Sequence, residues 1–216
     1  MTSVREMFRL HSARTRNGVK DQVVVPSEPT LEIVPMRRRD LKGVIAIEKR
    51  IFPSPWSIGL YASEIAQPDT RAYYVALVGS ELVGYAGMMV VVGEAHVTNI
   101  GVAPEWQRHG IGRRLLLQLA REALERSAQH LTLEVRVSNL GAQNLYHEFG
   151  FAPAGIRKNY YAEVNEDGIV MWAHDIDTEI YRRRLDTIEG RIRPLGPARW
   201  GPAPTPGVSE PGAPET

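Results

Sequence analysis

The chain contains no cysteine among its 216 residues, an absence that removes disulfides, thiolate metal ligands and a cysteine nucleophile together and fits a reducing compartment. It also lacks any run near the roughly 18 apolar residues that a membrane span requires, and its N-terminal stretch has no apolar core of a secretory signal. A cytoplasmic protein without a membrane partner is expected. Charge of one sign is not in excess either. Lys and Arg number 26 against 25 Asp and Glu, for a net charge of +1, so composition points to neither nucleic acid nor an anionic membrane. Arg5, Arg9, Arg14 and Arg16 make the start basic, but Glu6 and Asp21 argue against an organelle-targeting segment. Nor do His96, His109, His130, His147 and His174 form a metal pattern, because no pair has helical i, i+4 spacing around an acid. No metal is expected.

What is present is an ordinary apolar fraction of 43%, enough for one core of roughly 130 to 160 residues plus tails. Residues 1–29 are polar and end in Pro26-Ser27-Glu28-Pro29, which reads as a mobile leader. From Pro194 to Thr216, Pro and Gly alternate with small residues, a composition expected to stay disordered. Residues 177–193 are rich in charge, including Glu179, Arg182, Arg183, Arg184, Asp186 and Glu189. They read as a short solvated helical extension, loosely docked or frayed.

Residues 30–176 carry the signals of a compact mixed α/β (α+β) domain. Leu31–Met36 alternates as a strand, Asp40 is placed to cap a helix through Ile47, and Ser57 to cap a second ending near Ile65. Tyr73–Val78 and Leu82–Val92 form a hairpin about Gly79-Ser80, and Ala95–Val102 is a further strand ending at Ala103-Pro104. A leucine-rich helix spans Gly110 to about Ala128, with Ile111, Leu115, Leu116, Leu119, Ala120 and Leu124 on one face. Leu131–Val137 is a strand, Asn139 caps a helix that stops at Gly150, and strands near Ala152–Tyr160 and Gly168–Ile176 close the domain. The order is β-α-α-β-β-β-α-β-α-β-β.

The junction Gln107-Arg108-His109-Gly110-Ile111-Gly112 lies between a strand and that long helix. A helix start leaves backbone N–H groups unpaired and carries the positive end of the macrodipole, so it attracts phosphate. Gly110 and Gly112 let an anion approach the backbone, and Arg108, Arg113 and Arg114 add charge around it. In isolation the same residues also fit a tight turn into a surface helix. No Lys-Ser or Lys-Thr follows the second glycine, which excludes a P-loop, and a dinucleotide fingerprint would need a third glycine.

The junction, preceded by Asn99-Ile100-Gly101-Val102-Ala103 and Pro104, resembles the Gln/Arg-x-x-Gly-x-Gly/Ala signature of the GCN5-related N-acetyltransferase superfamily. Leu133–Asn139, Ala142–Phe151, Phe52–Ser57, Thr98-Asn99 and Arg157–Tyr161 follow the order seen in the bacterial ribosomal-protein alanine N-acetyltransferases. The similarity covers about residues 31–175, with an extra Ser54-Pro55 as a departure. This resemblance implies a central, mostly antiparallel, splayed sheet with helices on both faces, and acetyl-CoA as acetyl donor. It implies that the backbone of Arg108, His109, Gly110, Ile111, Gly112 and Arg113, with Gln107, holds the pyrophosphate. The Ile100-Gly101-Val102 strand would pair with the pantetheine arm, and Asn139 would hydrogen-bond the coenzyme.

Attack of an amine on a thioester requires a neutral amine, a destination for its proton and a donor for the departing thiolate. A lone strand carboxylate is often merely solvated, but Glu134 matches the family's catalytic glutamate and is expected to be the base, directly or through water. Tyr146, about two turns into the helix capped by Asn139, is expected to be the general acid while its ring packs on Phe149 and Phe151. At neutral pH roughly a tenth of an α-amine is unprotonated, against under about a thousandth of a lysine, so an α-amine asks less of the base. Trp56, Tyr160 and Tyr161 are expected to receive the peptide end. The expected partner is a protein N-terminus, such as the alanine of a small-subunit ribosomal protein, with no nucleic-acid requirement. A lysine or small-molecule amine acceptor, or a non-catalytic acetyl-CoA-binding module, stays open.

Overall fold

The computed structural model describes residues 30–193; the leader expected over 1–29 and the tail expected from Pro194 lie outside them. The elements are β1 (Leu31–Pro35), α1 (Leu41–Ile51), α2 (Ile58–Glu64), β2 (Arg71–Val78), β3 (Glu81–Val91), β4 (Glu94–Val102) and α3 (Ile111–Glu125). They continue with β5 (His130–Arg136), α4 (Leu140–Glu148), β6 (Ala152–Tyr161), β7 (Glu166–Ala173) and α5 (Glu179–Gly190). Up to β7 this is the order expected from periodicity. No helix among the described residues is long and apolar enough to cross a membrane.

Two expected caps act as such: Ser57 Oγ accepts the N–H of Leu60 at 3.1 Å and Asn139 Oδ1 that of Ala142 at 3.1 Å. Asp40 does not cap α1. Its carboxylate accepts the N–H of Arg37 at 2.8 Å and so closes the single 3-10 turn Arg38–Asp40 that leads into the helix. The last strand also ends early, at Ala173, because Asp175 takes φ +54° and Ile176 turns its N–H to the Gln129 carbonyl.

The seven strands form one sheet in the order β1-β2-β3-β4-β5-β7-β6. Every neighbouring pair is antiparallel except β4 and β5. Alternation sends the two faces of β2 to separate cores. In β2, Tyr73 and Val75 meet Leu41, Val44 and Ile47 of α1 and Tyr61 of α2, whereas Ala72, Ala76 and Val78 meet the leucines of α3. Leu115, Leu116 and Leu119 are fully buried there, each worth about 1.5–3 kcal/mol relative to exposure.

α5 belongs to that second core. Tyr181, Leu185 and Ile188 recur at helical spacing, are buried, and join the α3 cluster. Arg121 of α3 reaches Asp186 at 3.1 Å and also bonds Glu189. The expected frayed extension is therefore a packed helix. Its many charges lie around a narrow apolar stripe that composition alone obscures.

Candidate active site

The parallel contact between β4 and β5 extends over Glu94↔His130, Ala95↔Leu131 and His96↔Thr132 only. Beyond it the strands part and enclose a cleft of about 1110 Å³. Thr98 is an extra residue in β4, because Gly87 pairs with Asn99 and Met88 with Val97. Such a bulge bends the strand and re-aims its side chains. Ile100 and Val102 line the cleft. Gly101 does not; it backs onto Tyr85, whose ring would lie 2.4 Å from an added Cβ.

α3 opens toward the same cleft. Gly110 has φ +78° with no atom within 4 Å of an added Cβ, a conformation that other residues adopt at a cost. No side chain caps this helix start and no acid lies in its first turn. Gly110, Ile111, Gly112 and Arg108 line the cleft wall, so the first-turn N–H groups and the macrodipole present a site suited to a pyrophosphate. Gln107 Nε2 donates to the Val102 carbonyl at 3.2 Å and ends the strand. Arg113 lines the cleft but is engaged by Glu148 of α4, Nε to Oε2 at 3.0 Å. His109 lies off the wall, with Nδ1 2.7 Å from the Gln107 carbonyl oxygen and its ring against Trp106. Arg114, expected to add charge at the anion, instead donates to the Arg193 carbonyl at 2.7 Å. One position further along the helix turns it about 100° away from the cleft.

Glu134 stands on β5 where the strands separate, with its side chain only 5% exposed. Its Oε2 is 3.1 Å from His96 Nε2, and its Oε1 is 3.1 Å from Arg157 Nη1. Burial works to raise its pKa, but the hydrogen bond and charge of His96 and the charge of Arg157 outweigh it and hold the carboxyl below its ordinary value. Tyr146 of α4 is half-buried and lines the same cleft, its ring 5.9 Å from that of Phe151. Burial raises its hydroxyl to about 12. Asn139, besides capping α4, also lines the cleft.

Trp56, Tyr160 and Tyr161 line the same cleft. Arg136 lies between its two sides, 5.7 Å from the ring centroid of Phe52 and 5.4 Å from that of Tyr161. Arg157 packs over Tyr160 at 5.4 Å. Sequence reasoning missed His96, Arg157 and Arg136 as site residues. His96 was weighed only as a metal ligand, and its closeness to Glu134 depends on β4 and β5 being sheet neighbours, which no local pattern reveals.

A splayed sheet, an uncapped helix start beside its parted strand, and a buried carboxylate and a tyrosine lining one cleft are compatible with an acyl-CoA-dependent acyltransferase. Residues 41–151 match the model of the Acetyltransferase (GNAT) family, and the chain belongs to that family. It is an N-acetyltransferase with acetyl-CoA as acetyl donor. It is 39% identical over 134 residues to the ribosomal protein bS18-alanine N-acetyltransferase of Escherichia coli K12, covering 61% of this chain and 89% of that protein. It is 36% identical over 143 residues to the N-alpha-acetyltransferase RimI of Mycobacterium tuberculosis, covering 63% and 87%. The crystal structure of the Escherichia coli ribosomal-protein-S18-alanine N-acetyltransferase superposes with a TM-score of 0.62 at 36% identity, over 67% of this chain and 94% of that one.

Proposed function

We propose that this enzyme acetylates the N-terminal α-amine of a protein, with the N-terminal alanine of ribosomal protein bS18 as acceptor. The names of its relatives support the acceptor, and the observation that carries the chemistry is Glu134, clamped between His96 and Arg157 at the parting of the strands. Acetyl-CoA supplies the thioester acyl group and the departing thiolate. The first-turn N–H groups of α3 with Arg108 hold its phosphates, and the open edge of β4 from Val97 to Val102 receives its extended arm.

Glu134 takes the proton that the acceptor nitrogen loses, directly or through one water. Its lowered pKa keeps it ionised at neutral pH, so it is always ready but weakly basic. That matches an amine whose own pKa is near 7.7 to 8.0 better than a lysine near 10.4. Tyr146 keeps its proton across the working range, because burial holds its pKa at about 12. A protonated hydroxyl lining the cleft is available as the donor on the leaving-group side. Trp56, Tyr160 and Tyr161 wall the acceptor end.

The protein is incubated with acetyl-CoA and a peptide bearing a free N-terminal alanine, the same peptide N-blocked but carrying lysine, or an aminoglycoside. Acetylation of the first alone is expected. Turnover confined to the blocked peptide or the aminoglycoside would overturn the N-terminal acceptor.

A further inference from the structure

Beneath the acceptor mouth lies a carboxylate that the reaction above does not use. Glu48, in the last turn of α1, is 2% exposed and forms no ion pair with a described cation. Burying an anion without a counter-charge costs free energy unless donors replace its water. Three do so. Tyr61 of α2 donates its hydroxyl to Oε1 at 2.6 Å, Tyr85 of β3 donates to the same oxygen, and the backbone N–H of Trp56 donates to Oε2 at 3.0 Å.

The network extends to the cofactor strand. Asn99 of β4, next to the Thr98 bulge, donates its Nδ2 to the Tyr61 hydroxyl. The Tyr61 ring packs against Trp56 at 5.3 Å and against Tyr85 at 5.9 Å. Burial, together with the Glu48 carboxylate, raises the pKa of both Tyr61 and Tyr85 and keeps them donors. The lip over residues 52–57 has no helix or strand of its own to hold it. At Trp56 its backbone is tied to Glu48 and, through that carboxylate, to the Tyr85 hydroxyl of β3.

We propose that Glu48 is a positioning residue for the acceptor: by fixing Trp56 and the 52–57 lip against β3 and β4, it sets the affinity for the incoming peptide N-terminus without touching the reacting atoms. The proposal rests on the peptide-acceptor reading above. It separates two roles that a buried anion can have, because a purely structural anchor would weaken every ligand and the fold together.

Wild type, Glu48→Gln and Tyr85→Phe are compared in steady-state kinetics with the alanine peptide, in acetyl-CoA binding by calorimetry and in thermal unfolding. Glu48→Gln should raise the peptide KM about tenfold, the loss of a hydrogen bond to a charged group. Its kcat and acetyl-CoA Kd should stay within about twofold of wild type. Tyr85→Phe keeps the carboxylate and two of its donors, and should raise the peptide KM by a smaller factor of about three; it carries the test if Glu48→Gln does not fold. An unchanged peptide KM in the folded variants, or a parallel loss of acetyl-CoA affinity, overturns the proposal. A wild type that does not acetylate the alanine peptide at all would instead refute the acceptor reading.

Discussion

Along the cofactor wall of the cleft, residues 100–113 follow one another through one strand end, one turn and one helix start. The wall proposed for the acceptor gathers Glu48, Trp56, His96, Arg136, Arg157 and Tyr161 from five separate stretches of chain. The first wall offers mainly backbone: N–H groups at the start of α3 and the open edge of β4. The second consists of side chains held by one another, with Arg136 between two rings and Glu134 between His96 and Arg157. A ligand shared by a whole family can be bound by a contiguous backbone device. On the proposed reading, choice of the acceptor and the proton chemistry depend on tertiary packing.

Substitutions that strike one wall and spare the other test this division. The largest effect is expected at Glu134. Glu134→Gln keeps the shape but removes the proton acceptor, and should lower kcat by about 10²- to 10⁴-fold with acetyl-CoA affinity within about twofold in calorimetry. Equal turnover would remove the base from Glu134. Gly110→Val strikes the other wall, forcing a β-branched residue into φ +78° at a cost of about 1–2 kcal/mol. The acetyl-CoA Kd should rise about tenfold with the peptide KM little changed, and a rise confined to the peptide KM would invert the assignment of the walls.

The smallest effect concerns acid stability. The folded pKa of Glu134 lies below its unfolded value of about 4.3. Its ionised form therefore stabilises the fold above that value, and the contribution is lost as pH falls through the lower folded value. Melting temperatures from about pH 6 down to about pH 3 should decline less steeply in Glu134→Gln than in wild type. Equal slopes would show that His96 and Arg157 do not favour the ionised carboxylate.

The strand end and helix start of residues 100–113 were legible in the sequence because they are contiguous, while the cofactor they would hold came from the family resemblance. Gly110 and Gly112 before a leucine-rich face read directly as a helix start, and the positions of β1 through β7 followed from periods of two and 3.6 residues. The helix of residues 179–190 was visible, but its burial was not, since Tyr181, Leu185 and Ile188 are dispersed among arginines and acids. Arg114 was misjudged because its charge was counted without its angular position on α3. His96 and Glu48 depend on which strands and helices become neighbours. Their partners lie 38 residues away at Glu134, and 13 and 37 residues away at Tyr61 and Tyr85, separations at which a single sequence carries no pairing signal.

The three-pair contact of β4 with β5 has a consequence for solubility as well. An unpaired strand edge on the perimeter of a sheet is a template for aggregation, and proteins usually blunt it with charge, proline or a covering element. Here the free edge of β4 lies inside the sheet, between walls formed by α3, α4 and β5. A broad partner sheet cannot reach it, whereas a single extended molecule can enter lengthwise. The same separation of strands that makes room for a substrate thus screens a sticky edge from other copies of the chain.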